Sequence, residues 1–176
     1  MADAPATLRA ARPDDAADLH RLIVALADFE RLRHLVQATP ETIHEQLFGR
    51  PAHERPAAEA VVAERDGRVV GFALFFANFS TFLARPGLYL EDLFVEEAER
   101  GRGTGRALLV HLAGLAVARG AGRFEWSVLD WNASAIAFYE SMGARVMPDW
   151  RICRVAGDGL AAMAAGASST SPLDGA

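Results

Sequence analysis

Between Glu99 and Arg106 the chain reads E-R-G-R-G-T-G-R, set between an apolar run, Leu88 to Val95, and an Ala/Leu-rich stretch, Ala107 to Ala118, with helical spacing. That pattern predicts a strand, a glycine loop and a helix start. Arg100, Arg102 and Arg106 stand where the partial positive end of a helix dipole disfavours cations, so the loop reads as a receptor for an anion that outweighs their repulsion. Gly101, Gly103 and Gly105 fit that reading, because missing Cβ atoms let a phosphate reach several backbone N–H groups at once. A solvated arginine turn with glycines for tightness is the alternative for an isolated G-x-G-x-G. The loop is not a dinucleotide fingerprint, since Arg106 fills the place of the third glycine, and no G-K-S/T follows to make a Walker loop.

Two further groups of residues can do chemistry. Glu91 and Asp92 are adjacent on the strand before the loop, so alternation points their side chains to opposite faces unless a bulge intervenes. Asn132, Ala135 and Tyr139 fall on one face of a later helix, because seven residues make almost two turns. Asn132 is also a good N-cap, and Phe138 and Tyr139 could both be core rings. Cys153 is a poor nucleophile candidate, with no histidine near it in sequence. The five histidines show no metal-ligand spacing and one cysteine cannot make a zinc cluster, so no metal is expected.

The elements that must position these groups follow from periodicity. Leu8 to Ala10 reads as a strand, and Pro13-Asp14-Asp15 starts a helix from about Ala16 to Arg33, with Leu19, Leu22, Ile23, Leu26 and Phe29 on one face. Thr39-Pro40-Glu41 starts a second helix ending near Gly49, and Pro51 to Pro56 reads as loop. Ala60 to Glu64 and Arg68 to Phe79 form a hairpin around Asp66-Gly67. After the strand Leu88 to Val95, a helix spans Thr104 to Arg119, ended by Gly120 and Gly122. Phe124 to Val128 reads as a strand, Asn132 to Met142 as a helix, and Arg145 to Val155 as a strand broken at Pro148. The order β-α-α-β-β-β-α-β-α-β predicts an α/β domain with a mixed sheet, antiparallel in its first half with parallel crossovers later, and helices on both faces. Residues 1–165 read as one domain and 166–176 as a disordered tail.

Composition narrows the partners. The chain has 176 residues, 51% of them hydrophobic, and no apolar run approaches the roughly 20 residues of a membrane span. The N-terminus lacks a signal-like apolar core and Cys153 is the lone cysteine, so a reducing, cytoplasmic location is expected. All 18 positive charges are arginine, and a net charge of -5 argues against general nucleic-acid binding and mildly favours a cationic small partner.

The stretch R-G-R-G-T-G from Arg100 resembles the acetyl-CoA pyrophosphate signature of the GCN5-related N-acetyltransferases. L-Y-L-E-D-L-F-V (Leu88 to Val95) and D-W-N-A-S-A-I-A-F-Y-E-S-M-G-A (Asp130 to Ala144) resemble that superfamily's diamine branch, which acetylates spermidine, spermine or thialysine-like amines. The likeness runs from about Leu8 to Met163. It implies a GNAT-like fold, acetyl-CoA as cosubstrate and a homodimer. It also implies that Leu93, Phe94 and Val95 hold the thioester and pantetheine through their backbone, and that Arg100, Gly101, Arg102, Gly103, Thr104, Gly105 and Arg106 hold the pyrophosphate. Asn132, Ala133, Ser134 and Ala135 would contact the cofactor arm. Tyr139 would protonate the departing thiolate, and Glu91 would bind or deprotonate the amine, directly or through water. Phe29 and Glu30, with Asp92 and Asp149, would contact the acceptor. Phe29 stands where polyamine enzymes tend to carry tyrosine, and Ala144 to Trp150 is short, with only Asp149 for a far amine. Other acceptors, such as an aminoglycoside, an amino acid or a protein N-terminus, and a non-catalytic CoA-binding regulatory module are the rival readings.

Overall fold

A computed structural model describes residues 5–49 and 56–166. Its first compact unit runs to Ser127 and holds a five-stranded sheet in the order β1-β2-β3-β4-β5; a second, smaller unit begins at Val128. The strands are β1 (Thr7–Ala10), β2 (Glu59–Arg65), β3 (Arg68–Ser80), β4 (Arg85–Val95) and β5 (Phe124–Trp126). The first three pairings are antiparallel and β4–β5 is parallel, as the α/β reading requires. The crossover between β4 and β5 is the helix α3 (Thr104–Ala118).

Two helices precede β2: α1 (Ala16–Glu30) and α2 (Pro40–Phe48). Asp15 fixes the start of α1 to β1, where its carboxylate accepts from both terminal guanidinium nitrogens of Arg9, at 2.7 and 2.9 Å. That pairing holds the buried carboxyl below its ordinary range. α2 begins at Thr39, whose side chain accepts from the Thr42 N–H while the Thr42 hydroxyl accepts from the Thr39 N–H. The β2–β3 turn has Asp66 and Gly67 at φ 51° and 76°, the left-handed pair that the Asp-Gly signal predicts.

The sheet carries helices on both faces. Leu19 and Leu22 of α1 and Ile43 of α2 pack with Val62, Phe72 and Phe94 in one buried cluster. Phe75, three residues beyond Phe72, points to the other face, where Arg119 at the end of α3 lies over its ring at 5.6 Å. Leu108, Leu112 and Ala116 are the buried stripe of α3.

Several expected boundaries shift. α1 stops at Glu30 because Arg31 turns left-handed at φ 63°, and the N–H of Leu32 bonds the carbonyl of Ala27 at 2.8 Å. β4 begins earlier, at Arg85, and β5 ends earlier, at Trp126. The strand expected over 145–155 is absent: those residues form no ladder, and Val146, Ile152 and Val155 lie exposed. Pro148 removes a backbone donor in the middle of the expected run. In the second unit, α4 (Ala133–Ser141) matches the expected helix, whereas α5 (Asp158–Ala164) was not legible in the sequence. The Pro51 to Pro56 loop, apart from Pro56, and the tail beyond Gly166 lie outside the described residues.

Candidate active site

The glycine loop closes onto the first turn of α3. Gly101 and Gly103 have φ of 73° and 81°, a region that side chains rarely adopt, and a Cβ at either would meet nothing within 4 Å. The tip of the loop is therefore open ground beside the first-turn N–H groups of a 15-residue helix. Thr104, the first helical residue, is 4% exposed, and its hydroxyl has no hydrogen-bond partner. An orphaned buried hydroxyl at a helix N-terminus fits an oxyanion of a bound group. The side chains of Arg102 and Arg106 are exposed, and Arg102 lies 3.6 Å from Glu99.

The base of the loop is tied down by ion pairs that sequence reasoning missed. Glu99 pairs with Arg65 of β2 at 2.7 Å, with only 14% and 10% of the two side chains exposed. Glu96 pairs with Arg68 of β3 at 2.7 Å and with Arg21 of α1, whose guanidinium also donates to the carbonyl of Val69 at 2.7 Å. No local signal could have found these pairs, because their partners lie 28 to 75 residues apart.

Arg100 is placed differently from its two neighbours. Its guanidinium carbon sits 5.1 Å from the centroid of Phe29 and 5.5 Å from that of Phe94, and its Nε donates to the carbonyl of Val95 at 3.1 Å. Phe94 is buried on the α1 side of the sheet, while Leu93 lies opposite Ala73 and Val95 opposite Gly71 in the β3–β4 register.

A bulge decides where the acids of β4 point. Leu74 faces Asp92 and Phe75 faces Leu90, so Glu91 is the extra residue. Asp92 thereby joins the α1 face, since Leu74 packs against the α1 and α2 core. Glu91 is exposed, whereas Asp92 is largely withdrawn from water. Burial, then the charges of Glu91 and Glu30, push the Asp92 carboxyl from 3.8 up to about 6. Burial also raises Glu30, the last residue of α1. The bulge thus brings together three of the expected residues, Glu30, Glu91 and Asp92, and makes Asp92 the most perturbed. Phe29, 41% exposed, stands beside them at the end of α1. Among the described residues no group of His, Cys, Asp or Glu has the arrangement of a metal site.

In the second unit, the Asn132 side chain accepts from the N–H of Ala135 at 3.2 Å and from the Ser134 hydroxyl at 3.0 Å, which makes it the N-cap of α4. Ala133 and Ser134, in the first turn, are exposed. The half-buried rings of Phe138 and Tyr139 lie 5.4 Å apart. Asp149 and Cys153 are exposed.

A concavity of about 740 Å³ in the first unit is lined by Phe76, Ala77, Gly87, Leu88, Ala116 and Arg119, among others. It lies at the C-terminal end of α3, the end opposite the glycine loop, and contains none of the expected site residues.

Comparison with known proteins converges on one family. The sequence profile described as Acetyltransferase (GNAT) family matches residues 24–144. An L-ornithine N5-acetyltransferase of Arabidopsis thaliana is 38% identical, covering 89% of this chain and 86% of its own. A thialysine N-epsilon-acetyltransferase of Mus musculus is 33% identical, covering 89% and 96%. Among solved structures, an integron cassette protein from V. cholerae superposes with a TM-score of 0.74 at 24% identity, covering 92% of this chain and 98% of its own. A ribosomal-protein-alanine N-acetyltransferase from Brucella melitensis shares the fold, with a TM-score of 0.67 at 22% identity, covering 86% and 98%.

Proposed function

The chain belongs to the acetyltransferase (GNAT) family and is an N-acetyltransferase, and from that premise we propose that it acetylates the primary amine of a small cationic acceptor. The observation that carries the acceptor class is the cluster of Glu30, Glu91 and Asp92, in which the influences raising Asp92 are burial and two neighbouring carboxylates. Such a cluster is stabilised by a cation that enters it. Ornithine and thialysine, named for the two relatives, each carry two ammonium groups beside one carboxylate at neutral pH, and the side-chain ammonium is the cation that suits the acids here. The absence of lysine is compatible with the same reading, since the protein then offers no side-chain amine to compete with the acceptor.

Acetyl-CoA supplies an activated acetyl thioester and a pyrophosphate. The open glycines, the first turn of α3 and the orphaned Thr104 hydroxyl are the groups we assign to the pyrophosphate, with Arg102 and Arg106 adding charge. The backbone of Leu93, Phe94 and Val95 is assigned to the pantetheine, and the first turn of α4, Asn132 to Ala135, to the remaining arm, both by family resemblance. The acceptor nitrogen must be neutral to attack, and a primary amine with pKa near 10.4 costs about 4 kcal/mol to deprotonate near pH 7.4. Asp92 and Glu91 receive that proton, directly or through water. Tyr139 returns a proton to the leaving sulfur, the ordinary phenol pKa of about 10 lying not far above the thiol value of about 8.5. Transfer is direct, without an acyl-enzyme.

The test is thiol release from acetyl-CoA across ornithine, thialysine, spermidine and a monoamine of similar length. Turnover is expected to be fastest with ornithine and thialysine. Equal turnover with an acceptor that carries a single amino group would remove the acid cluster from recognition, and bound CoA without thiol release for any amine would favour a regulatory module. The homodimer implied by resemblance and the cytoplasmic location read from composition complete the proposal, the former open to light scattering.

A further inference from the structure

The first arginine of the glycine loop is spent on aromatic rings. We propose that Arg100 is a positioning residue for the acceptor: its guanidinium clamps Phe29 against Phe94 and thereby fixes the last turn of α1 beside Glu91 and Asp92. The proposal rests on the reading of Phe29 and Glu30 as acceptor contacts.

Three attachments define where the Arg100 side chain goes. One face contacts are with Phe29 and Phe94, at 5.1 and 5.5 Å from the ring centroids, and the Nε–H is committed to the Val95 carbonyl at 3.1 Å. The Arg100 backbone N–H is committed as well, to the carbonyl of Glu97 at 3.1 Å. Phe94 is 7% exposed and belongs to the core, whereas Phe29 is 41% exposed. The guanidinium therefore transmits the fixed position of a core ring to a surface ring, which is a use of arginine that lysine, a compact point charge, serves poorly.

The end of α1 needs such a fixture. Helical geometry stops at Arg31, which is left-handed at φ 63°, so Phe29 and Glu30 are the last two helical residues of α1. Leu22 and Leu19 are buried in the core about two to three turns earlier, and Leu26, about one turn earlier, packs against it only partly buried. Glu30, the residue after Phe29, is near enough to Asp92 to raise its pKa, so a shift of this turn changes the spacing of the carboxylates that meet the acceptor. Arg100 joins the loop assigned to the cofactor to the turn assigned to the acceptor.

The experiment compares Arg100→Met, Phe29→Leu, their combination and Asp92→Asn in the full chain, reading acceptor KM, kcat and the Kd for CoA. Arg100→Met should raise the acceptor KM about fivefold, with kcat and CoA affinity each within about twofold of wild type. Phe29→Leu should do the same, and the double variant should be no worse than the weaker-binding single variant. A merely structural role would lower kcat through loss of folded enzyme and leave KM in place. CoA affinity reduced about tenfold with the acceptor KM unchanged would make Arg100 a phosphate ligand and overturn the proposal. Additive effects in the double variant would also overturn it. If Asp92→Asn alone raises KM, the clamp falls and the acid cluster stands; if none of the variants raises it, both fall.

Discussion

Asp92→Asn should make the protein more stable and a worse enzyme, and the stability gain should depend on pH. In the folded chain this carboxyl is pushed from 3.8 to about 6, by burial first and then by Glu91 and Glu30. A raised folded pKa means that folding disfavours the ionised form. Asp92 therefore costs nothing below about pH 3, where it is protonated folded or unfolded, and its penalty grows as pH rises through about 6 and is fully present above about 7. The gap of about 2 between the two values corresponds to roughly 3 kcal/mol. Asparagine keeps the shape and removes the charge, so at pH 7.5 it should recover about 2 to 3 kcal/mol, and at pH 4 only about 0.5 kcal/mol. For a chain of this size that is a rise in Tm of about 5 to 10 °C, or a matching rise in urea midpoint.

Unfolding curves at the two pH values, run beside kcat/KM for ornithine, read both sides of the effect. Activity should fall while stability rises, and the wild-type kcat/KM should climb through pH 6 as Asp92 ionises, before the acceptor amine itself titrates. A variant no more stable than wild type at pH 7.5 would mean that Asp92 is already compensated. An equal gain at both pH values would mean that the gain does not come from charge. Either result refutes the reasoning.

Tyr139→Phe should lower turnover about 10²-fold and leave CoA affinity unchanged in calorimetry, because a general acid acts in the transition state. Gly103→Ala places a Cβ at φ 81° in open space, so stability should fall by only about 1 kcal/mol while CoA binding weakens about tenfold by titration; unchanged binding would make the loop structural. Arg65→Met should destabilise by about 1 to 2 kcal/mol in urea unfolding, since it leaves the largely buried Glu99 with only the longer, 3.6 Å contact to Arg102. Glu30→Gln should raise KM for a diamine several-fold, with a smaller effect on a monoamine, and the difference should shrink as salt rises.

What could be read from the sequence was whatever short spacing controls. The Asp66-Gly67 turn, the Thr39-Pro40 helix start, the glycine loop and the Asn132 cap were legible because each depends on residues within four positions of one another. The strand over 145–155 was misread because Val146, Ile152 and Val155 look the same whether or not a neighbouring strand exists to pair with them. The end of α1 was misread for a related reason: Arg31 carries no left-handed signature, and the three leucines and the phenylalanine before it share one helical face that continues formally past it. The site divides along the same line. Glu91 and Asp92 were visible as a pair, but which one is desolvated depends on a bulge, and bulges are set by the partner strand. Arg65, Glu96 and Arg21 were invisible because ion pairs that brace a loop across strands have no spacing rule.

The bulge is where fold and chemistry meet. Leu88 and Leu90, before it, are each 2% exposed and share the face of Phe75; Phe94, after it, is 7% exposed and shares the face of Phe72. In a regular strand, positions 90, 92 and 94 would lie on one face, so either the leucines or Phe94 would leave its core. The extra residue at Glu91 lets both sets stay buried, and it does so by turning Asp92 toward α1. Sliding the register by one would expose large side chains at roughly 2 kcal/mol each, more in sum than the penalty carried by the Asp92 carboxylate. Apolar packing on both faces thus holds an acid in a place that acid chemistry alone would vacate, and the same packing keeps it next to Glu30 and Glu91, where a cation relieves it.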